Sequence, residues 1–280
     1  MQNIHAHAWD QHLHIAPQTV KEADLSRGYP LDLTVAFDTF MADMAPFERV
    51  AVFGLKARLT GYWVSDQYVA DFVAQAPDKL VGFAACDPTQ PEHLDELRHG
   101  IEELGLVGLK MGPMYAGFDP RDARCEAVYR YCEERGVPIL FHSGTTFNRA
   151  APLAFTRPWL FDEVAIAHPE LRMVLAHVGH PFMEECLVVI RKHPHVYADI
   201  SALYYRPWQF YTMLIAAQEY HVTHKLLFGT DYPFAAGQAS IDGLRQANDV
   251  IGASGLPRVT SETIEGILAR DAFGLLGIGR

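Results

Sequence analysis

No apolar run in this 280-residue chain approaches the roughly 18 residues that a bilayer-spanning helix needs, which excludes a helical membrane span. The first residues also lack the charged stretch followed by an apolar segment that marks a secretory leader. Positive charge is scarce: 23 Lys and Arg stand against 34 Asp and Glu, a formal net charge of −11. A surface of that sign repels polyanions, so nucleic acid and anionic membranes are not expected as partners. Cysteine is sparse as well. Cys86, Cys125, Cys132 and Cys186 show no CxxC spacing and read as reduced thiols within strands or helices of a cytoplasmic protein. No Ser/Gly-rich linker interrupts the sequence, so residues 1–280 read as a single domain.

Two things are abundant. Hydrophobic residues make up 49% of the chain, enough for one large core, and there are 14 histidines. The apolar residues fall into eight short runs: 3–8, 49–55, 79–86, 105–111, 137–143, 171–177, 195–201 and 225–231. Amphipathic stretches such as 66–77, 91–105, 121–136 and 158–170 lie between them. A short apolar strand followed by a helix, repeated, is the pattern of parallel βαβ units, and eight repeats at this length predict a (β/α)8 TIM barrel. About 40 residues separate the first two runs. A connection that long, with the apolar stretch 35–47 inside it, is expected to form a lid over the barrel mouth.

"NIHAHA" places His5 and His7 at i and i+2, on one side of a strand. The C-terminal ends of the other predicted strands carry Lys110, His142, His177 and Asp231. In a barrel these ends converge, and burying four imidazoles with a carboxylate leaves many polar groups competing for partners unless a cation joins them. The residue types therefore predict a metal site. Asp199 reads as the group that orients one of the histidines. Lys56, at the end of the second strand, reaches the mouth or begins a solvated loop. The run "SALYYRPWQF" offers Tyr204 and Arg206 for an aromatic or carboxylated substrate. His12, His14, His168, His193, His195, His221 and His224 read as surface or helix-end residues.

HxH on the first strand, "LFHSGT" on the fifth, "LAHVGH" on the sixth and "LFGTDYPF" on the eighth resemble the amidohydrolase superfamily. Within it the chain is most similar to the amidohydrolase-related branch that contains aminocarboxymuconate semialdehyde decarboxylase, from Ile4 to about Leu276. The resemblance implies one divalent ion, Zn²⁺ first and Mn²⁺ second, held by His5, His7, His142 and Asp231. Asp231 and His177 would be catalytic, with Asp231 taking a proton from an activated water and His177 facing the substrate. In binuclear relatives a lysine at the place of Lys110 is carboxylated and bridges two metals, which would make His177 a ligand. The alternatives are a cationic anchor for a substrate carboxylate, or a salt bridge inside the barrel. The branch is mostly mononuclear, which favours the anchor.

The resulting expectation is a metal-dependent hydrolase of a small-molecule amide or lactone. The alternative is a non-oxidative decarboxylase of a carboxylated aromatic or muconate-like substrate. His180, where many relatives have a Gly-Gly step, and the short chain put hydrolysis first. A metal-binding protein without catalysis is a third class, disfavoured by a carboxylate beside an open coordination position. Relatives imply a homodimer.

Overall fold

Eight parallel strands form in sequence order: β1 (Gln2–His7), β2 (Arg49–Phe53), β3 (Leu80–Cys86), β4 (Gly108–Met111), β5 (Ile139–Phe141), β6 (Met173–Leu175), β7 (Val196–Asp199) and β8 (Leu226–Leu227). Each lies within the run expected for it or starts one residue before it. Residues 1–279 are described by the computed structural model. The sheet curls until its last strand returns to its first: Ile4 N donates to Phe228 O at 3.0 Å and His7 N to Tyr232 O at 3.1 Å. A barrel closed in this way leaves no open sheet edge.

The helices on the outside are α1 (Pro17–Arg27), α2 (Phe37–Asp43), α3 (Asp66–Ala74), α4 (His93–Glu102), α5 (Glu126–Arg135), α6 (Leu160–Ala167), α7 (Met183–Lys192), α8 (Pro207–Glu219), α9 (Gly237–Arg245) and α10 (Ser261–Leu268). Their ends follow from local chemistry. Ser65 Oγ accepts from Tyr68 N to start α3, and Gly136, at φ 67°, ends α5 in the left-handed conformation. No helix among the described residues is long and apolar enough to cross a membrane.

Alternation along the strands separates two apolar layers. Val50, Val52, Leu109, Met111, Ile139 and Phe141 face outward into the helix layer. Ile4, Ala51, Phe53, Phe83, Leu140, Val174 and Leu227 fill the barrel, and Phe273 and Leu276 of the C-terminal segment extend that cluster. The register of β1 against β2 slips between Asn3 and Ala6. Such a bulge re-aims side chains. It lets Ile4 join the interior cluster while Asn3 reaches Met44 beside α2 and Ala6 packs in the outer layer.

The long first connection differs from the expected lid. Its apolar stretch 35–47 forms α2 and packs on the barrel flank: Phe40 meets Phe72 and Tyr232 edge-on, and Phe47 lies against Phe228. An apolar helix after β1 takes the ordinary place of a barrel helix because only the flank offers a matching apolar surface. The earlier part does reach the mouth, where Trp9, Ser26 and Arg27 line the cavity. There α1 packs on the loop after β5, with Asn148 Nδ2 donating to Thr19 Oγ1 and Arg149 N to Glu22 Oε2, each at 3.2 Å.

Candidate active site and metal centre

The interior alternation that places apolar residues low in the barrel places polar ones two residues higher. Lys110 follows Gly108, His142 follows Leu140 and Asp199 follows Tyr197, all buried. His5, His7, His142, His177, Lys110 and Asp231 thus gather at the C-terminal end of the strands. His142 and Asp231 lie at the same end as His5, as the metal hypothesis requires.

Asp231 is fixed relative to His5 by backbone. Asp231 N donates to His5 O at 2.9 Å, and Thr230 Oγ1 donates to the same oxygen at 3.0 Å. Asn3 Nδ2 in turn donates to Thr230 Oγ1 at 3.0 Å. Asp231 has φ 62°, a conformation that a non-glycine residue holds only when its surroundings impose it. Its Oδ1 lies 3.1 Å from both His5 Nε2 and His7 Nε2. Gly229 permits this approach, since a Cβ there would come within 2.7 Å of the His5 Cβ.

Asp199 accepts from His5 Nδ1 at 2.9 Å, which sets the tautomer and turns Nε2 toward Asp231. Ser201 Oγ is bonded to Asp199 and lies 2.8 Å from His177 Nδ1. His177 and Val178 both have positive φ, 58° and 47°, so the chain turns sharply after β6. That turn brings the His177 ring to 5.0 Å from both the His5 and the His142 ring centroids. Gly144 makes room, because a Cβ there would stand 2.6 Å from His177 Cδ2.

Electrostatics follow from burial. Burial lowers His7 to about 3 and His177 to about 4, and it drives His142 well below the usual range. All three are neutral imidazoles at pH 7, the form that binds a cation. For His5, burial pulls downward, but the flanking Asp199 and Asp231 prevail and raise it. Burial pushes Asp231 up, yet His177, His5 and His7 hold it well below the carboxylate range. Lys110 is lowered to about 7, chiefly by burial.

The donor set fits a divalent cation. His7 Nδ1 and His142 Nε2 are buried without a hydrogen-bond partner, and His5 Nε2 has only the Asp231 carboxylate 3.1 Å away, outside good hydrogen-bond geometry; a cation beside the two Nε2 atoms would relieve that cost. Ligand atoms of His5, His177 and Asp231 all lie within 4.8 Å of one another. The tightest cluster therefore includes His177, which the resemblance assigns to the substrate, whereas His142 stands one ring further on. The reason is the positive-φ turn, which carries His177 inward.

Other expectations change. Tyr204 does not face the cavity: its hydroxyl donates to Gly229 O at 2.6 Å and its ring packs on Phe210 and Phe228. Tyr205 and Arg206 line the cavity instead. Lys110 forms no internal salt bridge among the described residues; Nζ is unpartnered, 4.8 Å from the Phe53 ring centre. Lys56 neither lines the mouth nor starts a solvated loop, being buried between Asp66 and Glu96, each at 2.8 Å. His168 and His193 do end helices, but they are buried: His168 contacts Glu126 and Glu133, and His193 contacts Asp162. Trp9, Arg27 and Tyr115 line the cavity without having been singled out. Of these only Trp9 carried a signal, standing two residues after His7 just beyond β1; its ring lies 3.8 Å from that of His7.

The cavity measures about 270 Å³, at the small end for ligand sites. The family model described as Amidohydrolase matches residues 3–275. A curated relative, 2-amino-3-carboxymuconate-6-semialdehyde decarboxylase of Dictyostelium discoideum, is 22% identical, with 78% of this chain and 70% of that protein covered. Among solved structures, an uncharacterised TIM-barrel protein of Bordetella bronchiseptica superposes with TM-score 0.77 at 21% identity, covering 99% of both chains. A probable 2-pyrone-4,6-dicarboxylic acid hydrolase of Acinetobacter baumannii, with citric acid bound, gives TM-score 0.69 at 16% identity over 99% of this chain and 98% of its own. A dihydroxybenzoic acid decarboxylase of Polaromonas sp. JS666, with manganese and the inhibitor 2-nitroresorcinol, gives 0.65 at 15% identity over 100% and 97%.

Proposed function

The chain belongs to the amidohydrolase family, and from that membership we propose that it is a metal-dependent enzyme that removes CO2 from a small, flat, carboxylated substrate. The observation that carries this reading is Lys110. Its Nζ is buried and unpartnered in the wall of a cavity that Trp9, Tyr62 and Tyr115 also line, alongside His7, His142 and His177. A buried amine with no acid within bonding distance among the described residues suits a carboxylate brought by the substrate. The decarboxylase among the relatives supports the same chemistry.

His5, His7, His142 and Asp231 would hold one divalent ion. His177 is left to face the substrate, with Ser201 fixing its ring. Zn²⁺ is the first assignment, because an imidazole-rich set with one carboxylate suits it; Mn²⁺, as in the Polaromonas decarboxylase, is the second. A bound ion supplies Lewis-acid polarisation of a substrate oxygen. The protein's own groups do the rest. Lys110 anchors the carboxylate, the aromatic side chains limit water, and Asp231, unprotonated at rest, takes a proton from a substrate hydroxyl or a water molecule and delivers it to the carbon whose bond to CO2 breaks.

Hydrolysis is the second reading, favoured by the same Asp231, which also suits the deprotonation of a water. The substrate is a small molecule under either reading, and a homodimer and a cytoplasmic location are proposed with it.

Hydroxybenzoates, muconate-type acids, lactones and amides, offered to the metal-loaded protein with mass-spectrometric detection, decide between the two. Decarboxylation appears as loss of CO2 and hydrolysis as gain of water. For a carboxylated substrate, Lys110→Met should raise KM about tenfold or more. An unchanged KM in that variant would remove the anchoring role.

A further inference from the structure

The histidines of the centre are oriented by different means. Asp199 accepts from His5 Nδ1, and Ser201 Oγ lies 2.8 Å from His177 Nδ1, so each of these rings has a polar group behind it. A histidine that holds a metal almost always has such a partner on its second nitrogen, which fixes the ring and its tautomer. His7 has none. Its Nε2 lies 3.1 Å from Asp231 Oδ1, while its Nδ1 is buried without a hydrogen-bond partner.

Aromatic rings stand where that partner would be. The indole of Trp9 lies over His7 with centroids 3.8 Å and planes 31° apart, a tilted stack. Phe53 meets the same imidazole edge-on at 4.9 Å and 84°. The indole is itself held in place. Tyr62 packs on it at 5.6 Å, Phe234 meets it edge-on at 6.1 Å, and Trp9 O accepts from Val35 N at 2.7 Å. Trp9 is buried, and its Nε1 has no acceptor. An indole N–H left unpaired is a cost, so ring packing and not a hydrogen bond keeps the side chain against His7.

Resting on the reading of His7 as a metal ligand, we infer that Trp9 is the positioning residue of that ligand, its π face fixing the His7 ring and favouring the imidazole that carries a cation. An imidazole bound to a divalent ion takes on part of the ion's charge, and a positive ring is drawn to the negative face of an indole. The stack is therefore stronger with the ion bound than without it, and the difference is expressed as metal affinity. Among aromatic side chains Trp is the best for such a contact and Phe is weaker, while an aliphatic side chain lacks it.

Zn²⁺ titrated calorimetrically into the chelator-treated full-length protein tests this, with His7→Asn, Trp9→Phe and Trp9→Leu beside the parent. Trp9→Leu should weaken binding about tenfold or more, and Trp9→Phe should recover part of that loss. Co²⁺ gives a second readout, because its visible absorption follows the arrangement of its ligands. Trp9→Leu should shift those bands, and Trp9→Phe should stay close to the parent. Saturating Zn²⁺ should also raise the melting temperature of Trp9→Leu less than that of the parent, a difference that lost packing alone would not produce. Should Trp9→Leu fail to fold, Trp9→Phe carries the test, with Zn²⁺ binding weaker than the parent's. The inference falls if the folded Trp9 variants bind Zn²⁺ as tightly as the parent, or if Phe and Leu weaken it equally. A parent that binds no Zn²⁺, or a His7→Asn variant that binds it undiminished, would sink the reading of His7 as a ligand. Weakening in His7→Asn with the Trp9 variants unchanged would sink this inference alone.

Discussion

Asp231 occupies a conformation that its own backbone disfavours, tied to β1 by its N–H and set between two imidazoles. The expense of that arrangement suits a group that handles protons more than one that merely fills a coordination position. Asp231→Asn should therefore keep much of the metal and lose roughly 100-fold or more in kcat. Full metal with near-normal kcat would exclude it as the proton carrier. His142 and His177 form a second test at this scale. Under the assignment made here, His142→Asn should lose metal by elemental analysis and His177→Asn should keep it while losing turnover. The opposite pattern would make the compact His5–His177–Asp231 cluster the binding set. The sequence showed these residues because strand ends in a barrel converge and the spacing of His5 and His7 is that of a strand face. It did not show the turn at His177, which depends on a backbone conformation with no residue signature. Nor did it separate Tyr204 from Tyr205, adjacent residues of one type whose directions are set by the loop.

At the scale of elements, every strand was readable from short apolar runs, since both faces of a barrel strand are buried. The first connection was harder. Its apolar stretch signalled burial without saying against which surface, and α2 covers the flank while the N-terminal part reaches the mouth. Lys56 shows how an element is pinned. It joins the hairpin Lys56–Ala57/Tyr62–Trp63 to the start of α3 at Asp66 and to Glu96 on α4. Burial pulls its pKa down, but the two carboxylates outweigh burial and raise it. A folded pKa above the unfolded value of about 10.4 gives a contribution that is whole below that pH and is lost as pH rises through the higher folded value. Lys56→Met should destabilise at pH 8 by about 3–5 kcal/mol, because it strands Asp66, and should flatten the alkaline fall in melting temperature. Identical alkaline slopes for variant and parent would show that Lys56 has no such role.

For the whole molecule, a metal held as proposed at the ends of β1, β5 and β8 would couple its binding to the integrity of the barrel. Chelation should lower the melting temperature, by the equivalent of about 2.7 kcal/mol when the free ion had stood at 100 times its Kd. Acid should release the metal too. The raised pKa of His5 means that a proton competes for that ring, so metal content measured after equilibration should begin to fall while the pH is still above the ordinary imidazole value of about 6.5, and fall further below it. Retention down to pH 5 would show that His5 is not a ligand.

The seam between β8 and β1 has a consequence for how such a site comes into being. Thr230 reaches His5 across 225 residues of sequence, so the first strand to leave a ribosome waits for the last before its histidines meet their carboxylate. A contact of that span forms late, after the loop entropy of nearly the whole chain has been lost. Until then His5 and His7 are two histidines on an unfinished strand, with little power to retain a cation. Ion capture by the proposed set would thus report that the barrel has closed, and a chain stopped short of β8 would lack Asp231 however well its earlier units had formed.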